Sequence, residues 1–358
     1  MRGSNERTAR AGGGVRKMKI LLDAMGGDNA PLEIMRGAVM AAQDSALELM
    51  LIGRASDMER CASENGIVVP ENVSLVNAEE TVTMEDDPVR VVREKKNSSM
   101  VRGLELLRDG EADAFISAGS TGALITAATL VVKRIKGVRR GAIAIEFPAA
   151  EDKTVLIVDC GANARCTSEY LTQFAYMGSA YMQSVRGINN PKVALLNIGE
   201  EETKGTDLQR ETYAKLKEAA AQGRINFIGN IEARYVEQGT ADVIVTDGYS
   251  GNILLKATEG TAMFMTSLLK GVFLKGVASK LCYLVLKKGL KGFKAKMDYT
   301  EYGGTPILGL SKPVIKAHGS SDAKAIFSAV RQAKICVQSD VAGKIAESLG
   351  GTKITDRS

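Results

Sequence analysis

The chain has 358 residues, with 47 Lys and Arg against 42 Asp and Glu, so its formal charge is +5. Its 45% apolar and 25% charged content is that of an ordinary globular protein and excludes disorder. Aromatics at 5%, no Trp and 37 Gly argue against an aromatic-rich all-β binding module and suit an α/β chain with many glycine turns.

Charge location matters more than its sum. Residues 1–17 hold five cations against Glu6 and no apolar stretch, so they read as a flexible leader, not a signal peptide. The folded chain is expected to begin at Met18. Residues 260–297 hold eight Lys and no acid, which leaves the rest net negative. Lys and Arg are not spread over one face with aromatics for stacking, so a nucleic-acid partner is not expected. The cysteines are Cys61, Cys160, Cys166, Cys282 and Cys336, an odd count with no C-x-x-C pair. They read as reduced, buried thiols of a cytoplasmic protein. With one His and no spaced thiols, no metal site is expected.

Along the body, one unit recurs: a short apolar run, a glycine loop, then an amphipathic stretch. MKILLDAMGGDNAP precedes LEIMRGAVMAA, and LELMLIG and VSLVNA follow. ADAFISAGSTG enters ALITAATLVVKRI, TVLIVDCGANA enters SEYLTQFAYMGSAYMQSV, and KVALLNIGEEETKG enters TDLQRETYAKLKEAAA. INFIGNIEA and ADVIVTDGYSGN complete the strands, and SDAKAIFSAVRQAKICVQSDVAGKIAES reads as one final helix. Strands alternating with helices predict a mainly parallel sheet covered on both faces, a three-layer αβα sandwich forming one domain over 18–345. Residues 346–358 read as a tail.

Parallel strands put functional loops at their carboxyl ends. Five polar glycine loops are expected to meet at one sheet edge. They carry Gly26, Gly27 and Asp28; Ser117, Gly119, Ser120, Thr121 and Gly122; Asp159, Gly161 and Asn163; Asn197 and Gly199; and Asp247, Ser250 and Asn252. Helix N-termini at such loops favour anions, so phosphate is the first ligand to consider. Ser120 and Thr121 are equally placed merely to cap a helix. No P-loop and no strand-borne G-x-G-x-x-G exists, which argues against nucleotide hydrolysis and ordinary dinucleotide binding. His318 heads a Ser-rich helix start with Ser320 and reads either as a packed residue or as acid, base or phosphate ligand. Arg90 to Ser99 is a basic stretch that reads as a solvated face, or through Lys95, Lys96 and Ser98 as an anion contact.

Residues 261–297 interleave Phe, Leu, Met and Val with Lys alone. No apolar run is long enough to span a bilayer. Gly271 and Gly276 suggest a helical hairpin that meets a membrane surface through Lys270, Phe273, Leu274, Lys275, Lys280 and Leu284. Dimer packing and docking of an acidic protein are the other readings of this segment.

The string Asp23-Ala-Met-Gly-Gly-Asp-Asn-Ala-Pro31 resembles the amino-terminal signature of the bacterial phosphate acyltransferases (acyl-ACP:phosphate transacylases). Lys95 to Met100, Ile116 to Ala123, Asp159 to Asn163, Leu196 to Gly199, Phe227 to Arg234, Val245 to Gly248, Gly251-Asn252, Tyr302 to Gly304 and Lys316 to Ser321 are similar to that family's further blocks, in order. The resemblance covers about residues 18–345. It departs at Asn29, where some members of the family carry His, which leaves His318 as the single imidazole, so no mechanism here can require two. The resemblance implies transfer of a long-chain acyl group from acyl carrier protein to inorganic phosphate, without cofactor, for phospholipid synthesis. It implies the fold of phosphotransacetylases and isocitrate dehydrogenases, a homodimer, peripheral membrane contact, and a membrane glycerol-3-phosphate acyltransferase as recipient of the product. The expected phosphate position is near Ser120, Thr121 and His318, with Asp247 or His318 orienting or deprotonating it. Asn163, Asn197 and Asn252 are expected to hold the thioester carbonyl or the pantetheine arm. The alternatives are a phosphotransacetylase acting on short-chain acyl-CoA, a nicotinamide-dependent decarboxylating dehydrogenase, and a non-catalytic scaffold.

Overall fold

The structure, a computed structural model, describes residues 16–274, 276, 286 and 304–350. Its strands are β1 (Met18–Asp23), β2 (Leu47–Gly53), β3 (Val73–Asn77), β4 (Ala114–Ser117), β5 (Ala142–Pro148), β6 (Thr154–Val158), β7 (Lys192–Asn197), β8 (Asn226–Glu232), β9 (Val243–Val245), β10 (Thr305–Leu308) and β11 (Val314–Lys316). Its helices are α1 (Leu32–Ala41), α2 (Ala55–Asn65), α3 (Val91–Glu94), α4 (Ser99–Asp109), α5 (Thr121–Val131), α6 (Ser168–Arg186), α7 (Asp207–Ala221), α8 (Gly248–Leu274), α9 (Ala323–Gln338) and α10 (Val341–Gly350).

The strands form one sheet in the order β3-β2-β1-β4-β11-β10-β5-β6-β9-β7-β8. Successive β1 residues enter different cores: Ile20 and Leu22 pack with α1, α6 and α9 on one face, and Leu21 packs with α4 and α5 on the other. A strand apolar on both sides must be covered on both sides, which makes the three-layer α/β fold. In the β5-to-β8 half, the second face is closed by Leu255 of α8 over Ile143, Ile157 and Ile244.

Two strands change the geometry expected from an all-parallel reading. Strand β10 is antiparallel to both neighbours, and β5 is antiparallel to β6. β1, β4 and β11 run together, β6, β9, β7 and β8 run together, and the sense reverses between the two sets. The five glycine loops therefore do not leave one edge of the sheet: those after β1 and β4 leave the opposite strand edge from those after β6, β7 and β9. The sheet is also split. β10 pairs through Thr305 and Pro306 with β11, but through Ile307 and Leu308 with β5. Beyond that joint β5 and β11 part, leaving two lobes with a cleft between them.

Three further boundaries differ from expectation. The final helix is two, α9 and α10, because Asp340 takes a left-handed conformation (φ 45°) and its carboxylate accepts the Gly343 N–H at 3.2 Å, starting a new helix. α10 runs to Gly350, past the expected start of the tail. α8 begins directly at the loop after β9 and passes through Gly271 unbroken to Leu274, because glycine inside a helix costs propensity without removing a hydrogen bond. From Gly260 to Val272 none of its residues is buried, so this half of α8 leaves the body. The proposed second arm of the hairpin, with Lys275, Lys280 and Leu284, lies outside the described residues apart from single positions.

Candidate active site

The cleft between the lobes encloses about 400 Å³. One wall comes from the β4 loop (Thr121), the segment Gly304–Pro306 and the end of β11 (Lys316 to His318, then Ser321). The other comes from Ile143 to Glu146 of β5, Cys160 and Gly161 after β6, and α8. α8 contributes Asn252, Leu255, Lys256 and Glu259, spaced i, i+3, i+4, i+7 and hence on one helical face. Tyr181 of α6 and Gln332 of α9 reach it from the third layer.

Loops on the first wall lock each other. Ser117 Oγ donates to Asp23 Oδ2 at 2.7 Å and accepts the Gly119 N–H at 3.1 Å. Asp28 N donates to the Gly319 carbonyl at 2.8 Å, and Asn29 Nδ2 donates to the carbonyls of Ser320 and Ser321. Asn29 thus ties the β1 loop to the His318 loop. Gly26 is required by close approach: a Cβ there would sit 2.7 Å from both Asp23 Oδ2 and Gly119 N. Gly26→Ala is expected to destabilise the protein by roughly 1–3 kcal/mol through overpacking, read as a lowered urea midpoint with unchanged slope.

Charge in the cleft centres on Lys316. Its Nζ donates to the carbonyl oxygens of Ala118 (3.3 Å) and Ala317. Burial lowers its pKa to about 8, against the opposing pull of Asp23 and Asp28. Burial also raises the Asp23 carboxyl, opposed by hydrogen bonds from Ser99, Ser117 and two backbone N–H groups. His318 Nδ1 accepts the Ser320 N–H at 3.3 Å and lies 2.9 Å from Ser320 Oγ. That assigns the ring hydrogen to Nε2. Burial first, then Lys256 and Lys316, hold the imidazole below the usual histidine range, so it is neutral at pH 7. Lys256 is itself paired with Glu259 at 2.7 Å.

At the deep end lies a second polar group. Tyr181 OH donates to Glu146 Oε1 (2.6 Å), Arg186 Nε donates to Glu146 Oε2 (2.8 Å), and Gln332 Nε2 donates to Tyr181 OH (2.6 Å). Burial, with Glu146 adjacent, pushes the Tyr181 phenol well up. Cys160 also lines the cleft, but burial raises its thiol well above the usual range, so it is no nucleophile at neutral pH.

Of the residues expected at the site, Thr121, Asn252 and His318 line the cleft, with Gly161 beside them. Ser120 does not: its Oγ accepts the Ala123 N–H as a helix cap. Asp247 likewise caps α8, accepting from Ser250 N and Ser250 Oγ, each at 2.9 Å. Asn163 is held by Asp159 Oδ2 and the Gly141 carbonyl. Lys95 Nζ is bound to Asp86 (2.6 Å) and the Thr81 carbonyl (2.8 Å), while Ser98 caps α4 from a fully buried position. Asn197 ends β7 and Gly199 follows it, two strands beyond β6, where Asn197 Nδ2 closes the loop onto the Lys204 carbonyl. Gly122 packs on Pro88. Lys256, Lys316, Glu146, Tyr181 and Gln332 were missed. The i, i+3, i+4 spacing after Asn252 was the signal available for Lys256. Among the described residues no three His, Cys, Asp or Glu gather as a metal site, and no helix is long and apolar enough to cross a membrane.

Fold and cleft together define a class. The chain superposes on the EutD phosphotransacetylase of Staphylococcus aureus with a TM-score of 0.56, at 19% identity over 93% of this chain and 94% of that one. It superposes on a phosphotransacetylase of Streptococcus pyogenes with a TM-score of 0.62, at 17% identity over 92% and 95%. The architecture is thus that of the phosphotransacetylase fold. Sequence narrows it further: residues 18–344 match the family described as fatty acid synthesis protein. A phosphate acyltransferase of Geobacillus thermodenitrificans is 49% identical over 336 residues, 94% of this chain and all of that one. Another, of Alkaliphilus oremlandii, is 48% identical over 336 residues, 93% and 97% of the two chains. The chain belongs to the phosphate acyltransferase family.

Proposed function

We propose that this enzyme transfers a long-chain acyl group from the thioester of acyl carrier protein to inorganic phosphate, giving acyl phosphate and the free carrier thiol. The observation that carries the reading is Lys316, a half-buried, largely desolvated cation in the cleft beside the neutral His318 and the first turn of α5. Phosphate dianion held by Lys316, Thr121 and the α5 N-terminus already has a nucleophilic oxygen at neutral pH. That oxygen attacks the thioester carbonyl carbon, a new C–O bond forms, the C–S bond breaks, and the sulfur takes a proton. His318, with its hydrogen on Nε2, is placed to donate to the developing oxyanion or to the leaving thiolate; Asp247, committed to its cap, is not part of this step. Asn252 serves the carbonyl or the pantetheine arm. Neither a cysteine nucleophile nor a cofactor enters this scheme.

The same proposal includes a homodimer and peripheral membrane contact, from which acyl phosphate passes to a membrane glycerol-3-phosphate acyltransferase. It is supported by α8, where Met263, Phe264, Met265, Leu268, Lys270 and Val272 are exposed and Phe273 is half-buried. Lys270→Glu is expected to weaken sedimentation with anionic vesicles by about 1 kcal/mol. The activity itself is tested with palmitoyl carrier protein and labelled phosphate, alongside acetyl-CoA. Phosphate-dependent loss of the long-chain thioester, with little turnover of acetyl-CoA, is the expected result. Preference for acetyl-CoA selects the short-chain alternative.

A further inference from the structure

A third basic piece sits inside the portion of the chain that composition alone made net acidic. Residues 133–140, between α5 and β5, read KRIKGVRR: Lys133, Arg134, Lys136, Arg139 and Arg140 with no acid. Arg165 stands just beyond Asn163, which hydrogen-bonds the Gly141 carbonyl at 2.8 Å, so both segments border the cleft wall that begins at Ile143. Arg140 lies over the Tyr170 ring at 5.7 Å, close enough to Cys166 to act on its thiol.

Several surface arginines elsewhere are matched by a nearby acid: Arg36 with Glu33, Arg54 and Arg60 with Asp57, Arg210 with Asp207. Here only Arg139 has an acid, Glu169 at 3.4 Å. Lys133, Arg134, Lys136, Arg140 and Arg165 are exposed and form no ion pair among the described residues, though Arg134 bonds the Arg139 carbonyl. Five exposed cations with no acid among them give this rim a positive field that attracts an acidic partner. The loop's own apolar side chains, Ile135 and Val138, are buried, and Leu130 one turn earlier is exposed alone. Nothing here can enter a lipid layer as the emerging half of α8 could.

We propose that this rim, Lys133 to Arg140 with Arg165, is the docking surface for the acidic protein that delivers the acyl thioester, seating it so that its prosthetic arm enters between β5 and β11. The inference rests on the carrier-protein reading above. A basic rim meeting an acidic partner sets encounter rate and orientation more than chemistry. The pairs Lys133→Glu with Lys136→Glu, and Arg140→Glu with Arg165→Glu, test it in the full-length enzyme. Each pair is expected to raise KM for acyl carrier protein about tenfold or more, to flatten the salt dependence of kcat/KM, and to leave kcat and KM for phosphate within twofold. Thermal melting and circular dichroism of each pair check the fold, and two separate pairs guard against one failing to fold. An unchanged KM for the carrier in both folded pairs overturns the proposal. So does weakened binding to anionic vesicles with KM for the carrier unchanged in solution, which makes the rim a lipid contact. If the wild-type enzyme does not turn over acyl carrier protein with phosphate, the functional reading fails before the rim is tested.

Discussion

Lys316→Met is expected to lower kcat/KM for phosphate by on the order of 10² to 10³, the usual cost of one charged stabilising group in a water-poor site. Lys316 is the cation that the fold places in the cleft with its ammonium already desolvated and aimed by two carbonyls. A pre-oriented charge in low dielectric acts more strongly than a solvated one. Its pKa of about 8 gives the pH dependence a sign. A lysine is cationic below its pKa, so the cation is present at pH 7 and is lost as pH rises through 8. kcat/KM for phosphate in the wild-type enzyme is therefore expected to fall above pH 8, far below where an ordinary lysine would titrate. Bound phosphate pulls the pKa upward again, so kcat at saturating phosphate holds to higher pH. Lys316→Arg, which stays charged, is expected to remove that descending limb while keeping part of the activity. A wild-type profile flat to pH 9.5, or a Lys316→Met enzyme within fivefold of wild type, shows that Lys316 does not hold phosphate.

Asp159→Ala is expected to cost about 3–5 kcal/mol in stability, an exceptional loss for one substitution. The Asp159 side chain is buried at the end of β6 and accepts four hydrogen bonds: from Ile143 N (2.9 Å), Ala162 N (3.0 Å), Asn163 N (2.7 Å) and Asn163 Nδ2 (2.9 Å). Alanine leaves all four donors without their acceptor, the Ile143 N–H in a buried position, and a buried unmade bond carries its own desolvation penalty. Gly251 packs against the same residue so tightly that any Cβ would overlap the Asp159 carbonyl oxygen. The loop therefore has no room to refill the void. Asp159→Asn is no rescue, because each carboxylate oxygen meets donors and one of them becomes a donor itself. Urea unfolding measures the change. A loss under 1 kcal/mol means that this loop relaxes freely and that the cleft wall does not depend on it.

Much of the site's material was legible as loop chemistry. The glycine loops after β1, β4, β6 and β9 and the lone His318 stand where they were expected in the chain, and Thr121, Asn252 and His318 do share one cleft. Several roles were ambiguous for a physical reason. A Ser or Asp at a helix start binds either a ligand or the helix's own N–H groups, and composition is the same in both cases. Ser98, Ser120 and Asp247 went to caps. Lys95 went to Asp86, an acid nine residues away that no local pattern connects with it.

Local periodicity, through runs such as ILLDA and VLIVD, was enough to determine an α/β sheet buried on both faces, because that burial is written in consecutive residues. What only the tertiary structure decided is where the cleft lies and which cation enters it. The short strands β10 and β11 carry too few residues for a periodic signal, and nothing local in β5 tells the direction of its pairing, yet the antiparallel pairing of β10 and β5 reverses strand sense and splits the sheet. Lys316 is drawn largely out of solvent because β11 threads between β4 and β10, a relation between segments some 200 positions apart in the chain. The shift of its pKa is a property of that burial and not of its neighbours in sequence.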